Sequence, residues 1–226
     1  MSINAYLCNI DMKRSIITLL FLLLSTGIRA QELVPSYDWA YFERYAASNQ
    51  ALRGSAPLAV VMGDSITDGW FEADSAFFAV NRIVARGISG QVTAHMLVRL
   101  RRDVLDLAPR YLVILGGIND IARNLGYISL ENTIGNIASM CELAAFHGIR
   151  PVLTTLLPAE RIPWRKGLTD VPEQIQAFNQ AIRTYASENG FLLIDLADLM
   201  VETTDGIHPT LAGYKTMEEA VLQALQ

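Results

Sequence analysis

Five short, mostly aliphatic runs constrain this chain more than any other feature of its sequence. They are Leu58 to Met62, Arg82 to Ala85, Tyr111 to Leu115, Val152 to Leu157 and Phe191 to Leu196. A strand with one wet face alternates apolar and polar residues, so runs without alternation predict strands buried on both faces. Between the runs lie longer segments with apolar residues at helical spacing. They cover Val92 to Leu107, Leu130 to His147, Pro172 to Asn189 and Thr210 to Leu225, with Asp38 to Leu52 ahead of the first strand. Gly148 and Gly190 stand where two of these helices should stop. Strands that alternate with helices build βαβ units. The expected fold is therefore α/β, a three-layer α/β/α sandwich around a five-stranded parallel sheet.

Composition sharpens this reading. With 51% hydrophobic and 18% charged residues, the chain is too apolar and too weakly charged to stay disordered. A net charge of −5 argues against a nucleic-acid partner, which demands clustered cations to displace phosphate counterions. Lys13 and Arg14 precede an apolar run from Ile16 to Leu24, and small residues lead up to Ala30. That layout predicts a secretory signal peptide over residues 1–30. The run is too short to span a bilayer, which takes roughly 20 apolar residues, so no stable membrane insertion is expected after cleavage. Translation starts at Met1 or Met12, and in the second case residues 1–11 are an upstream extension. Residues 31–226 read as a single domain, exported to the periplasm or the medium. Cys141 would then be the one remaining cysteine, at a helical position among Ile137, Ala138 and Ala144 that suits a small core residue.

In an open parallel sheet, ligands bind beyond the carboxyl ends of the strands. After the first run stand Gly63-Asp64-Ser65, a serine on a tight turn into a helix. Alone, this is equally a capped helix start. Ahead of the last helix come Asp205-Gly206-Ile207-His208. Across such a turn the carboxylate can hold the imidazole in the tautomer that takes a proton from a serine. Alone, His208 is equally a surface turn residue. Acyl transfer also needs donors where negative charge develops. Gly87-Ile88-Ser89-Gly90 can present a backbone N–H, and Gly116-Gly117-Ile118-Asn119 offers a side-chain amide.

These four blocks, in this order, resemble the SGNH hydrolases, also called GDSL esterases and lipases. Gly63-Asp64-Ser65, Gly90, Gly117-Ile118-Asn119-Asp120 and Asp205 to His208 fall on the family's four blocks. Ile66 stands where the family's name has leucine, as in members that resemble platelet-activating-factor acetylhydrolase. The resemblance implies a flavodoxin-like fold, with Ser65 as nucleophile, His208 as base and Asp205 as its orienting partner. It also implies an oxyanion hole built from the Ser65 N–H, the Gly90 N–H and the Asn119 side chain. Asp64 and Asp120 are expected to hold the turns that aim these groups. No cofactor or metal is expected: there are few His and Cys, and no G-x-G-x-x-G or P-loop sequence.

The expected function is hydrolysis of short-chain, chiefly acetyl, esters of a small molecule or a carbohydrate. Trp164, with Arg165 beside it in the loop after the fourth strand, is a candidate platform for a sugar ring, and so is Trp70, one turn beyond Ser65. Trp164 could instead pack into the core. Two alternatives stand beside the esterase: a lysophospholipase or thioesterase for longer chains, and a non-catalytic carbohydrate-binding module.

Overall fold

In the computed structural model, which describes residues 38–226, the apolar runs form five strands. They are β1 (Ala59–Gly63), β2 (Ile83–Gly87), β3 (Tyr111–Leu115), β4 (Arg150–Thr154) and β5 (Leu192–Ile194). All pair in parallel, in the order β2-β1-β3-β4-β5. β1 and β3 are buried at every residue, which is why neither carries polar alternation. The expected signal segment, residues 1–30, lies outside the described residues. Residues 40–226 form one compact unit.

Eight α-helices accompany the strands among the described residues: α1 (Ala46–Ala51), α2 (Ser65–Ala73), α3 (Ser75–Val80), α4 (Thr93–Asp103), α5 (Ile118–Ile121), α6 (Leu130–Phe146), α7 (Val171–Asn189) and α8 (Leu211–Ala224). α2, α3 and α8 pack together on one side of the sheet, and α4, α6 and α7 on the other. The handedness of crossovers explains the split. The chain steps from β1 to β2 in one direction, then reverses past β1 to reach β3, and right-handed connections then place helices on opposite faces. At that reversal the connections leaving β1 and β3 run to opposite faces of the sheet, the place where sheets of this order bind ligands.

Local chemistry sets the helix starts. Asp64 Oδ1 accepts the Ile66 N–H at 3.0 Å, Asp74 Oδ1 that of Phe77 at 3.0 Å, and Thr210 Oγ1 that of Gly213 at 3.1 Å. Gly190 ends α7 in the left-handed conformation at φ 65°.

Boundaries differ from expectation at several elements: β2 runs on to Gly87 and β5 shortens to Leu192–Ile194, and three further differences have a local cause. The helix expected over Asp38 to Leu52 is helical only from Ala46 to Ala51, and Tyr41 just ahead has a φ of 57°. The Tyr45 ring lies under the Arg86 guanidinium at 4.5 Å and its hydroxyl donates to the Gly87 carbonyl, so a tertiary contact fixes this stretch. α4 stops at Asp103 because Val104 leaves helical geometry, and Leu105–Leu107 form a separate 3-10 turn. β4 ends at Thr154, and the apolar residues Leu156 and Leu157 are buried beyond the last paired residue rather than within the sheet.

Candidate active site

Ser65 opens α2 immediately after β1, and the glycines at two strand ends let that turn sit close. A Cβ on Gly87, at the end of β2, would stand 2.2 Å from the Asp68 nitrogen and 2.8 Å from the Asp64 carbonyl oxygen. On Gly63 it would meet Thr67 Oγ1 at 2.1 Å and the Leu115 carbonyl at 2.7 Å. The first turn of α2 is therefore wedged against β2 and β3, with the Ser65 hydroxyl at the carboxyl edge.

His208 reaches Ser65 from the other end of the chain. Its Nε2 lies 2.9 Å from Ser65 Oγ, and its Nδ1 lies 2.8 Å from Asp205 Oδ2. A carboxylate only accepts, so the Nδ1 proton faces Asp205 and Nε2 is left to accept from the serine hydroxyl. Asp205 Oδ1 also accepts the backbone N–H of Ile207 at 2.9 Å and of His208 at 2.8 Å. Partial burial opposes ionisation of Asp205, but these hydrogen bonds outweigh it and hold the carboxyl below its ordinary range.

Gly90 and Asn119 lie on the adjoining side. Gly90 follows β2 with φ at 80°, a conformation that favours glycine. Among the described residues, the N–H groups of Ser65 and Gly90 meet no acceptor. Asn119, on α5 just after β3, is buried, and its Nδ2 donates to the Gln91 carbonyl at 3.1 Å. Asp120 is turned away, its carboxylate taking the Thr93 hydroxyl at 2.6 Å and the Thr93 N–H at 3.0 Å. It ties α5 to α4.

Sequence reasoning missed the polar residues behind this edge. Arg99 is fully buried and donates to Gln91 Oε1 at 2.6 Å, to the Gly63 carbonyl at 3.0 Å and to the Arg86 carbonyl at 2.8 Å. It thereby ties β1, β2 and the Gly90–Gln91 loop together, with Asp103 as its ion-pair partner at 2.8 Å. The signal was present: Arg99 shares the apolar stripe of α4 with Met96 and Leu100, a place where an unpaired cation would be costly. Asn124 was missed too; its Nδ2 donates to Asn119 Oδ1 at 2.7 Å and to the Gly90 carbonyl at 3.3 Å.

The two tryptophans part ways. Trp164 is 40% exposed, and its ring centroid lies 5.9 Å from that of His208. Its Nε1 donates to Asn124 Oδ1 at 3.1 Å, while Arg165 beside it donates to the Arg123 carbonyl at 2.9 Å. Trp70 does not line the site. It is 1% exposed, stacked between Phe77 at 5.6 Å and Tyr214 at 5.8 Å, and its Nε1 donates to Glu218. The expectation of a sugar contact there is corrected: one turn beyond Ser65 points inward, where α2 must bury its apolar face against α3 and α8.

Ser65 and His208 open onto a cleft of about 550 Å³, whose walls include Asp68, Glu72, Ser89, Leu211 and Tyr214. A second groove, of about 370 Å³, runs along Arg123, Trp164, Arg165 and Lys166. Beneath the nucleophile turn, desolvation raises the Asp64 carboxyl to about 7 despite the Ile66 N–H. Asp64 Oδ2 and Thr67 Oγ1 are buried without a hydrogen-bond partner among the described residues. Among those residues, no group of three His, Cys, Asp or Glu side chains is arranged to hold a metal ion. Cys141 is buried in the core, and burial pushes its thiol up to about 12.

A parallel sheet of this order, carrying a serine, a histidine and an aspartate in hydrogen-bonded sequence at its carboxyl edge, places the chain among the α/β hydrolytic enzymes. It belongs to the GDSL-like Lipase/Acylhydrolase family, whose model it matches over residues 61–216, and it is an enzyme of the esterase type. The crystal structure of a GDSL-like lipase from Bacteroides thetaiotaomicron VPI-5482 is 40% identical with a TM-score of 0.80, covering 83% of this chain and 98% of that one. Esterase TesA of Pseudomonas aeruginosa is 27% identical over 195 residues, 77% of this chain and 90% of the relative. Axe2, an acetylxylan esterase from Geobacillus stearothermophilus, shares the fold at 20% identity and a TM-score of 0.58, covering 76% of this chain and 95% of that one. The uncharacterized lipoprotein YqeF of Bacillus subtilis is 37% identical over 79 residues, which span 34% of this chain and only 32% of that relative.

Proposed function

We propose that this protein is an exported serine esterase that removes short acyl groups, acetyl above all, from a carbohydrate or small-molecule ester. The observation that carries the reading is the continuous line Ser65 Oγ, His208 Nε2, His208 Nδ1, Asp205 Oδ2, with spacings of 2.9 and 2.8 Å, at the edge of an open cleft. Ser65 Oγ attacks the acyl carbonyl as its proton passes to His208 Nε2, and Asp205 stabilises the resulting imidazolium. The negative charge on the carbonyl oxygen is met by the N–H groups of Ser65 and Gly90 and by Asn119 Nδ2. As the intermediate collapses, His208 returns the proton to the departing alcohol. Water, activated by the same histidine, then releases the acid.

Several features favour a short acyl group on a polar alcohol. The cleft is open and mixed in character, with Asp68 and Glu72 on its wall, and offers no apolar tunnel for a long chain. Trp164 beside His208 presents an exposed aromatic face of the kind that stacks on sugar rings. The acetylxylan esterase named above has the same fold. Export is inferred from Lys13 and Arg14 ahead of the Ile16 to Leu24 run. Among the described residues, no helix is long and apolar enough to cross a membrane.

The test is a fluorophosphonate probe together with p-nitrophenyl acetate. Labelling at Ser65 with turnover, both absent in folded Ser65→Ala, is the expected result. A folded wild-type protein that neither labels nor turns over would leave the binding-module alternative.

A further inference from the structure

The loop after β4 is wired to the groups that would hold the oxyanion, and the wire is a single side chain. Asn124 is half-buried in the turn beyond α5. Its three side-chain hydrogen bonds run to Trp164 Nε1, Asn119 Oδ1 and the Gly90 carbonyl. We infer that Asn124 is a positioning residue that sets the orientation of Asn119 and of the Gly90 peptide, and that Trp164 acts on the oxyanion hole through it. This inference rests on the esterase reading above.

The chemistry of the donors fixes the direction of the wire. An indole N–H can only donate, so the Asn124 atom facing Trp164 must be its oxygen. The Asn124 amide nitrogen then faces Asn119 and Gly90 and can only donate to them. Asn119 must answer with its own oxygen, which turns Asn119 Nδ2 toward the Gln91 carbonyl and away from Asn124. The Gln91 carbonyl demands the same orientation independently, since it can only accept. Were Asn119 flipped, an acceptor would face the developing negative charge and repel it. The donation to the Gly90 carbonyl bears on the second donor. That bond anchors the carbonyl on the far side of the Gly90 Cα from its N–H, and so restrains a residue whose φ is 80° and whose Cα faces open space. One residue therefore braces the Asn119 donor directly and the Gly90 donor through the neighbouring peptide.

The arrangement also gives Trp164 a second consequence. A substrate seated on the indole ring would press on the group whose N–H anchors Asn124, so binding at the loop and alignment of the donors are mechanically linked. Misplacement of catalytic donors by about 1 Å costs up to roughly 100-fold in rate, which sets the scale of the effect.

The experiment measures kcat and KM on p-nitrophenyl acetate per fluorophosphonate-titrated site, for wild type, Asn124→Ala, Asn124→Asp, Trp164→Phe and the Asn124→Ala/Trp164→Phe pair. Asn124→Ala should lower kcat about 10- to 100-fold with KM within about two-fold, because the donors act in the transition state. Asn124→Asp can still accept from Trp164 but cannot donate to Asn119 or Gly90, and should be at least as slow. Trp164→Phe keeps a ring beside His208 and removes only the N–H, so a smaller loss of about three- to ten-fold in kcat is expected, on the same scale of misplacement. If Trp164 acts through Asn124, the double variant should be no slower than Asn124→Ala alone. A wild-type kcat in both Asn124 variants, a loss confined to the number of titratable sites, or losses that multiply in the double variant would each overturn the inference while leaving the esterase reading intact. That reading fails separately, if wild type itself neither labels nor turns over.

Discussion

Asp205 grips His208 twice, once at the ring and once at the backbone. Oδ2 lies 2.8 Å from Nδ1 and Oδ1 lies 2.8 Å from the main-chain N–H. The second bond, with a third to the Ile207 N–H, makes the carboxylate the organiser of its own turn. The imidazole is therefore placed before any substrate arrives.

Asp205→Asn separates these roles. The amide keeps an oxygen for the turn, but offers the ring either a donor or a weaker acceptor, and cannot stabilise the imidazolium. We expect kcat to fall by roughly 100- to 10,000-fold while the unfolding midpoint moves little. Steady-state kinetics alongside urea unfolding checks this; equal damage to both would make Asp205 only a turn residue.

On the proposed mechanism, Asn119→Ala removes a donor that acts mainly in the transition state. kcat should drop by about 100- to 1,000-fold with KM little changed. A rise in KM at constant kcat would mean that Asn119 binds the ground state instead.

The sheet and the four blocks were legible because each is a local consequence of burial or turn chemistry. β3 matches its aliphatic run residue for residue, since a central parallel strand has no wet face. Ser65, Gly90, Asn119 and His208 stand where strand ends and helix starts put them. What stayed hidden depends on tertiary partners. Trp70 reads as a neighbour of Ser65 along the chain, yet whether it faces the cleft or the core is settled by Tyr214 and Phe77 packing against it. Asn124 reads as an ordinary turn asparagine until Trp164, forty positions away, supplies its donor. The 3-10 turn at Leu105–Leu107 continues the apolar pattern of α4, so no periodicity could have marked the break at Val104.

Asp64 should give the fold a pH dependence of recognisable sign. An unfolded aspartate ionises near 4, whereas burial raises the native carboxyl to about 7. Between those values the native state holds the extra proton, so this group's contribution to stability declines as pH rises from about 4 to about 7 and then levels off. Asp64→Asn keeps an oxygen for the Ile66 N–H but cannot ionise. Denaturant unfolding at intervals from pH 5 to 9 should show wild type losing stability relative to the variant up to about pH 7. Parallel curves would contradict a native carboxyl raised by burial.

Trp70→Ala should cost about 3–5 kcal/mol of stability, the ordinary range for emptying a large aromatic from a core. The cavity would open among Phe77, Phe78 and Tyr214, under the helix that carries Ser65. Urea unfolding measures it. A variant of wild-type stability with a raised KM for sugar esters would restore Trp70 to the substrate site.

The last prediction concerns the acyl chain and the alcohol together. Beside Ser65, the larger cleft is bounded by Asp68 and Glu72, and Asp68 is held there by Arg44 at 3.2 Å and by the Ser89 hydroxyl at 2.8 Å. Carboxylates on the wall make it a poor lining for a long alkyl chain, whose methylenes gain about 0.8 kcal/mol each only when buried against apolar surface. On the other side, Trp164 offers its exposed face, with Arg165 and Lys166 as donors along the groove. kcat/KM should therefore be higher for acetyl than for octanoyl esters of the same alcohol. Trp164→Ala should also raise KM for an acetylated oligosaccharide well beyond its effect on KM for p-nitrophenyl acetate, whose small leaving group does not reach along the groove. Its kcat on both substrates should fall together, since the indole N–H to Asn124 is lost in each case. A preference for octanoyl, or a KM that moves equally for both alcohols, would move the assignment to longer-chain lipid esters.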